Sequence, residues 1–446
     1  MDTLENRLQK RIYVSLYALL FLVLLLGISV LLEGCSDSCE VTSEYTYYEP
    51  VYTTIEDIRA SIEVVAPMPI TGVGKIYFKD GILYVNEPGQ GIHIIDNHDP
   101  SAPTPIKFLK IPGNYDMAIN GNTLYADSFV DLVAFDVSNT GTIHEVGRLE
   151  GAFKNYTTMG FINDPNCCVI TDWKESKSVF VSESDCSVSM QPWGGIFYEG
   201  GIALRSDATA AFSSKAAIAP GTGSGPGVGG SLARFTLSDD HLYMLDGGDL
   251  QTVSVESEEQ PVAVGREYIA WDIETIFPHK QNLFIGSSSG MHILDISDPA
   301  SPSKISTYEH IRSCDPVVVD DQYAYVTLRS GTFCQGFSNQ LEVIDISDLT
   351  APILLQTYPM TNPHGLGVDG NTLFICDGSD GLKAFDISDI NTISQHMLFQ
   401  DKTINAVDVI PLNSVLMMIG ADGIFQYDYS DPNNIALLSQ IVVTNE

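Results

Sequence analysis

Short runs of alternating apolar and polar residues recur along this chain, and one phrase returns at a nearly fixed interval. Residues 290–299 read GMHILDISDP, 341–348 LEVIDISD, 381–389 GLKAFDISD and 423–432 GIFQYDYSDP, with Asp295, Asp345, Asp386 and Asp428 spaced 40 to 50 residues apart. Two further copies lie early, GIHIID at 91–96 and LVAFD at 132–136. A Gly/Asn turn and a second apolar run come before the phrase, as in GNTLY at 121–125 and GNTLF at 370–374. Each repeat therefore predicts strand, Gly-containing turn, strand, loop, strand, Asp-rich turn, strand.

Four short antiparallel strands per repeat make one blade of a β-propeller, so the fold class is all-β. No sustained 3.6-residue periodicity follows the N-terminal region, which excludes a helical solenoid. The repeat degrades between 153 and 265, where 161–181 and 233–255 read as blades flanking a Gly-rich insertion near 190–231. The expected count is about eight blades, or seven if the degraded region supplies only one. Residues 61–70 and 435–443 both read as strands, and a ring without exposed edges predicts that one terminus completes a blade begun by the other. The propeller is expected over 67–446.

The runs Ile94-Ile95-Asp96, Ile293-Leu294-Asp295 and Val343-Ile344-Asp345 resemble the core of the LVIVD repeat, and the resemblance covers most of residues 72–440. That family implies β-propellers of bacterial and archaeal cell-surface proteins. It implies almost nothing about a ligand.

The N-terminus adds a location. Arg7, Lys10 and Arg11 precede an apolar run from Tyr13 to Leu32 that ends at Leu32-Glu33-Gly34-Cys35. The order of basic, apolar and small residues before a Cys resembles a bacterial lipoprotein signal peptide over 1–35. Cys35 would then carry the lipid, with palmitate among its acyl chains. A run of this length also fits an uncleaved membrane anchor. Either way the remainder is expected outside the cytoplasm, at the outer membrane or cell surface. Residues 36–66, acidic and Tyr-rich without periodicity, read as a tether.

Charge narrows the partners. Asp and Glu outnumber Lys and Arg 57 to 22, a formal net charge of -35. Phosphate backbones are bound by Lys and Arg, so nucleic acid is excluded as a partner. The expected partners are the membrane, through the lipid, and an extracellular protein, peptide or glycan.

Candidate chemistry concentrates at turns. The paired Asp residues of each Asp-x-Ser-Asp turn fit Asx turns better than calcium ligands, because a short carboxylate caps its own downstream N–H groups. GPGVGG at 225–230 has the spacing of a phosphate loop, but Pro and Gly prevent it from opening a helix, and 219–230 reads as a flexible loop. Blade geometry places Cys314 beside Cys334 as a disulfide, and Cys167 or Cys168 beside Cys186. Cys376 reads as a small buried hydrophobe, and Trp173 and Trp271 as rings packed on the sheet. Aligning the repeats puts Glu274, Asp315 and His364 at one position around the axis, with Asp116 and Asp408 at or next to it. Such a ring at the channel mouth could bind a cation or polar ligand, or be wet polar surface. No catalytic set, metal set or cofactor is assigned. The expected function is a displayed binding or scaffold module; the alternative is a lyase or hydrolase using His364 and the ring carboxylates.

Overall fold

The computed structural model describes residues 13–24, 38–154, 157–158, 161–162, 167–185, 196–198, 201–203, 228–310, 316–330 and 338–444. Two units divide the chain: 1–49 with 173–206, and 50–172 with 207–446. The first holds a helical stretch at 13–24 and a small hairpin of Ile196–Tyr198 with Gly201–Ala203. No helix among the described residues is long and apolar enough to cross a membrane.

The second unit contains seven four-stranded antiparallel blades among the described residues. In chain order their innermost strands are Ile76–Lys79, Met117–Asn120, Phe235–Ser238, Ile273–His279, Val317–Val319, Leu366–Asp369 and Ala406–Leu412. These neighbour one another around an axis, beginning on the face called upper here and ending on the lower face.

The repeat phrase is explained by backbone contact. In four of the seven blades a leading Gly opens or directly precedes the third strand, and a Cβ on Gly91, Gly290, Gly381 or Gly423 would strike the carbonyl of Leu109, Tyr308, Asp401 or Ile441 on the fourth strand. Every blade also shifts register between its third and fourth strands, as at Ile94/Ile95, Ile293/Leu294 and Gln426/Tyr427. A bulge at that place adds right-handed twist to the blade's outer edge. The Leu-aromatic pair of the second strand points to both sheet faces, and Leu124, Tyr125, Leu373 and Phe374 are all buried, since each blade is covered by a neighbour on both sides.

The blade count is the lower of the two alternatives, seven, because the degraded region supplies one blade: 233–255 lies in the third, whereas the strand at 168–185 pairs in a two-stranded sheet with Ser38–Thr54. Two expectations need correction. Two alternating stretches thus satisfy each other's edges, and the segment read as a tether is a strand followed by the helix Ile55–Ala60. Closure also differs, because every blade is contiguous in sequence. Ala436–Val442 is the fourth strand of the last blade, and Glu63–Val65 adds a fifth strand outside Thr104–Lys110 of the first.

The ring is sealed by side chains instead. Across the junction of first and last blades Asn97 Nδ2 donates to Gln426 Oε1 at 2.8 Å and Gln426 Nε2 to Asn97 Oδ1 at 2.7 Å. Ser439 Oγ donates to Pro100 O at 2.6 Å, and Thr444 N to Ile70 O at 2.8 Å. Ile76, Leu83 and Val85 pack there on Met417, Ile419 and Ile424. Interlocked apolar faces and a satisfied buried amide pair make strand exchange unnecessary.

Candidate functional site

The axis is filled where the insertion re-enters the ring. Val228 and Gly229 pair with Phe78 and Tyr77 of the first inner strand, and Gly229 to Ala233 are buried. Ser231 Oγ donates to Asp408 Oδ1 at 3.2 Å and accepts from Leu366 N at 2.8 Å. Ala233 O accepts from Ile276 N at 2.8 Å, and Asp116 Oδ2 from Arg234 N at 2.8 Å and Phe235 N at 3.1 Å. This plug therefore bonds to the first, second, fourth, sixth and seventh blades. Gly230 is required, because a Cβ would run into the Asp408 carboxylate. The stretch 219–230 read as a flexible loop thus ends in ordered, buried backbone.

The predicted ring is partly assembled and used differently. Asp116 and Asp408 hold the plug, and Asp116 also pairs with the buried Lys75 ammonium. Burial pushes Lys75 down to about 8 against the pull of Asp116. Asp127, which accepts from Tyr115 N at 2.7 Å and Asp116 N at 2.9 Å, is pushed up to about 6 by burial. The His364 ring nitrogens lie 2.6 and 2.9 Å from Arg329 Nη1, and Nε2 lies 3.2 Å from Asn362 Nδ2. Burial lowers the Arg329 pKa, and the field of Glu274 opposes this. Sequence alignment missed both Lys75 and Arg329, the cations that compensate these carboxylates, because neither sits at the aligned position. Cys35, Cys186, Cys314, Asp315 and Cys334 lie outside the described residues.

The lower face carries a cavity of about 770 Å³ with Gly229 in its wall. Its sides come from the ends of the fourth to seventh inner strands and from the turns that follow them. Phe277, Val318, Leu366 and Ile410 form apolar wall, and Asp320, Asp321, Asp369 and Asp389 are its carboxylates. Asp320 Oδ1 accepts from Gln322 N at 2.7 Å and Tyr323 N at 2.8 Å, and its Oδ2 from Tyr325 OH at 3.0 Å. Asp369 accepts from Tyr429 OH at 2.8 Å. His279 Nε2 stands 3.0 Å from Asp321, and burial lowers the His279 pKa while Asp321 opposes it. In sequence these residues fall in ordinary hairpin turns, and only the closed ring brings four repeats' turns together.

The Asp-x-Ser turns are as expected. Asp295, Asp345, Asp386 and Asp428 each accept from the N–H two residues on at 2.8 Å. Asp348 and Asp389 cap a second such turn at 2.9 and 3.0 Å. Serine or Asn hydroxyl and amide donors, with those N–H groups, hold Asp386 and Asp389 below the usual carboxylate range. Cys376 is buried, as expected of a small hydrophobe, and Cys167 lies bonded to its neighbour Cys168, whereas the expected partner Cys186 lies outside the described residues. Trp271 is 64% exposed rather than packed on the sheet, because it precedes the fourth inner strand in an upper-face loop.

Comparison with known proteins agrees with the fold. Residues 282–310 and 311–360 match the model of the LVIVD repeat. No curated protein matches the chain. The Pseudomonas aeruginosa periplasmic gluconolactonase PpgL is similar at 10% identity and a TM-score of 0.51, over 86% of this chain and 97% of that one. A Lactobacillus plantarum protein is similar at 13% identity and a TM-score of 0.51, over 84% and 98%. Likeness at these identities concerns the fold alone.

Proposed function

We infer that this chain, an LVIVD-repeat β-propeller, is a binding module displayed outside the cytoplasm on a lipid carried by Cys35, with its ligand seated in the lower-face cavity. The carrying observation is that cavity, about 770 Å³ of concave, half-apolar space bounded by buried backbone of the plug. Its volume is in the range of small-ligand pockets, and preformed apolar walls with a few fixed polar groups are their usual make-up. The plug limits access to one side, so the ligand enters and leaves by the lower face. On the upper face, Asp116 and Asp408 are already engaged by the chain itself.

A fragment screen by saturation-transfer NMR on the full chain in phosphatidylcholine nanodiscs tests the seat. Val368 lines the cavity and is half-buried, so Val368→Trp fills space with little disturbance of the core. Hits on the wild type should lose most of their signal in V368W; hits that survive unchanged contradict the assignment. Anchoring is tested by Cys35→Ser, which should abolish palmitate labelling and release the protein from membranes. Unaltered membrane association without any acyl group on the wild type contradicts the lipid anchor.

A further inference from the structure

We propose that the lower-face cavity selects organic cations: a protonated amine or guanidinium on an apolar stem. The inference rests on the reading of that cavity as the ligand seat and adds the chemistry of its occupant. Among the described residues four aspartates line it, Asp320, Asp321, Asp369 and Asp389, and no Lys or Arg does. Lys280 Nζ reaches Asp321 at 2.7 Å from outside the lining, in an exposed ion pair. Among the described residues Asp320, Asp369 and Asp389 accept from neutral donors: backbone N–H groups and the Tyr325 hydroxyl for Asp320, the Tyr429 hydroxyl for Asp369, and Asn391 with the Thr392 hydroxyl for Asp389. These donated hydrogen bonds fix the carboxylates in place, and those of Asn391 and Thr392 hold Asp389 below the usual carboxylate range. Burial lowers the His279 pKa and so disfavours its charged form.

The remaining wall mixes neutral polar groups with hydrocarbon. Pro278, Val368, Ile390 and Pro411, half-buried in the lining, offer a surface for an apolar stem, and a low-dielectric wall focuses the field of the carboxylates into the space between them. A carboxylate or phosphate ligand would meet this field with no compensating cation. A neutral ligand would gain the wall alone. An ammonium or guanidinium gains both, and a guanidinium can also take a carboxylate in two parallel hydrogen bonds.

The test uses matched probes of one shape. Benzylammonium, benzyl alcohol and benzoate are titrated into the full chain in phosphatidylcholine nanodiscs, with empty nanodiscs as reference. Acetyl-Gly-Lys-Gly-amide serves as a peptide-borne ammonium. Benzylammonium should bind at least tenfold tighter than the alcohol, benzoate should not bind, and raising salt should weaken only the cation. Asp369→Asn and Asp389→Asn retain the oxygen acceptor and remove the charge, and each should weaken benzylammonium by about three- to tenfold. Competition by the lysine peptide marks a basic side chain as the natural source; binding of benzylammonium without it marks a free amine. Equal binding of benzylammonium and benzyl alcohol, blocked by V368W, overturns the cation claim and leaves the cavity reading intact. Binding that V368W does not affect overturns both.

Discussion

At the residue scale the repeat's acidic turns were fully legible, because an Asx turn is decided by neighbours two positions away and needs no tertiary partner. Buried titratable groups were not. His292 lies in the third strand of the fourth blade, 5% exposed, with Nδ1 3.1 Å from Thr307 Oγ1. Burial pushes its pKa from the ordinary 6.5 down to about 4. Since the folded pKa is depressed, the folded state binds fewer protons than the unfolded state between these values. The neutral imidazole's contribution is present above about pH 6.5 and lost as pH falls toward 4. Its upper bound is on the order of 3 kcal/mol. Urea midpoints at pH 7 and pH 4.5 should converge in His292→Gln relative to wild type, and an unchanged pH slope would contradict the burial account. Nothing in the alternation marked this position, because a third strand covered on both faces accepts polar and apolar residues only as its neighbouring blades allow.

Elements were read well where local pattern and closure agree, and poorly where pairing is remote. The second and third strands of six blades were marked by the Gly-bounded phrases. The pairing of Ser38–Thr54 with the strand beginning at Cys168 was invisible, since it joins segments more than a hundred residues apart. Between them the helix Ile55–Ala60 docks on the propeller. Thr54 caps it by accepting from Asp57 N at 3.2 Å, and Ile55 and Ile58 pack with Phe129, Val130 and Val169. Arg59 Nε donates to Asp131 Oδ2 at 2.7 Å, Arg148 Nη1 to the same oxygen at 2.9 Å and Gly151 N to Oδ1 at 3.0 Å. Burial raises the Asp131 pKa, but these donors outweigh it and hold the carboxyl below its usual range. Removing this buried acceptor leaves Arg59 to Glu150, Arg148 to Glu145 and Gly151 N without its acceptor, so Asp131→Ala should cost about 1–3 kcal/mol. Tryptic cleavage after Arg59 in the native protein should accelerate, and a cleavage rate equal to that of wild type would show that the helix docks without Asp131.

At the scale of the molecule the sequence predicted a propeller, left its count between seven and eight blades, and misclosed it. A degraded repeat and an alternating strand look alike in one dimension, and only pairing distinguishes them. Asp116 and Asp408 of the candidate ring hold an occupant the alignment did not foresee: Ser231 and Arg234 of the chain itself. The glycines that looked like flexibility are there because Gly230 passes against Asp408 too closely for any side chain. The lower-face cavity was illegible for the complementary reason, since its residues are ordinary turn residues until seven blades close. Both features follow from one event, the return of the insertion through the axis, which closes the channel and gives the cavity its end.

Peptide-resolved hydrogen–deuterium exchange across 228–235 tests that event most directly. The plug's amides are buried or bonded to other blades, with Arg234 N and Phe235 N on Asp116, so this Gly-rich peptide should exchange as slowly as the blade strands beside it. Complete exchange within seconds, as for a solvent-exposed loop, would mean an open axis and contradict the account.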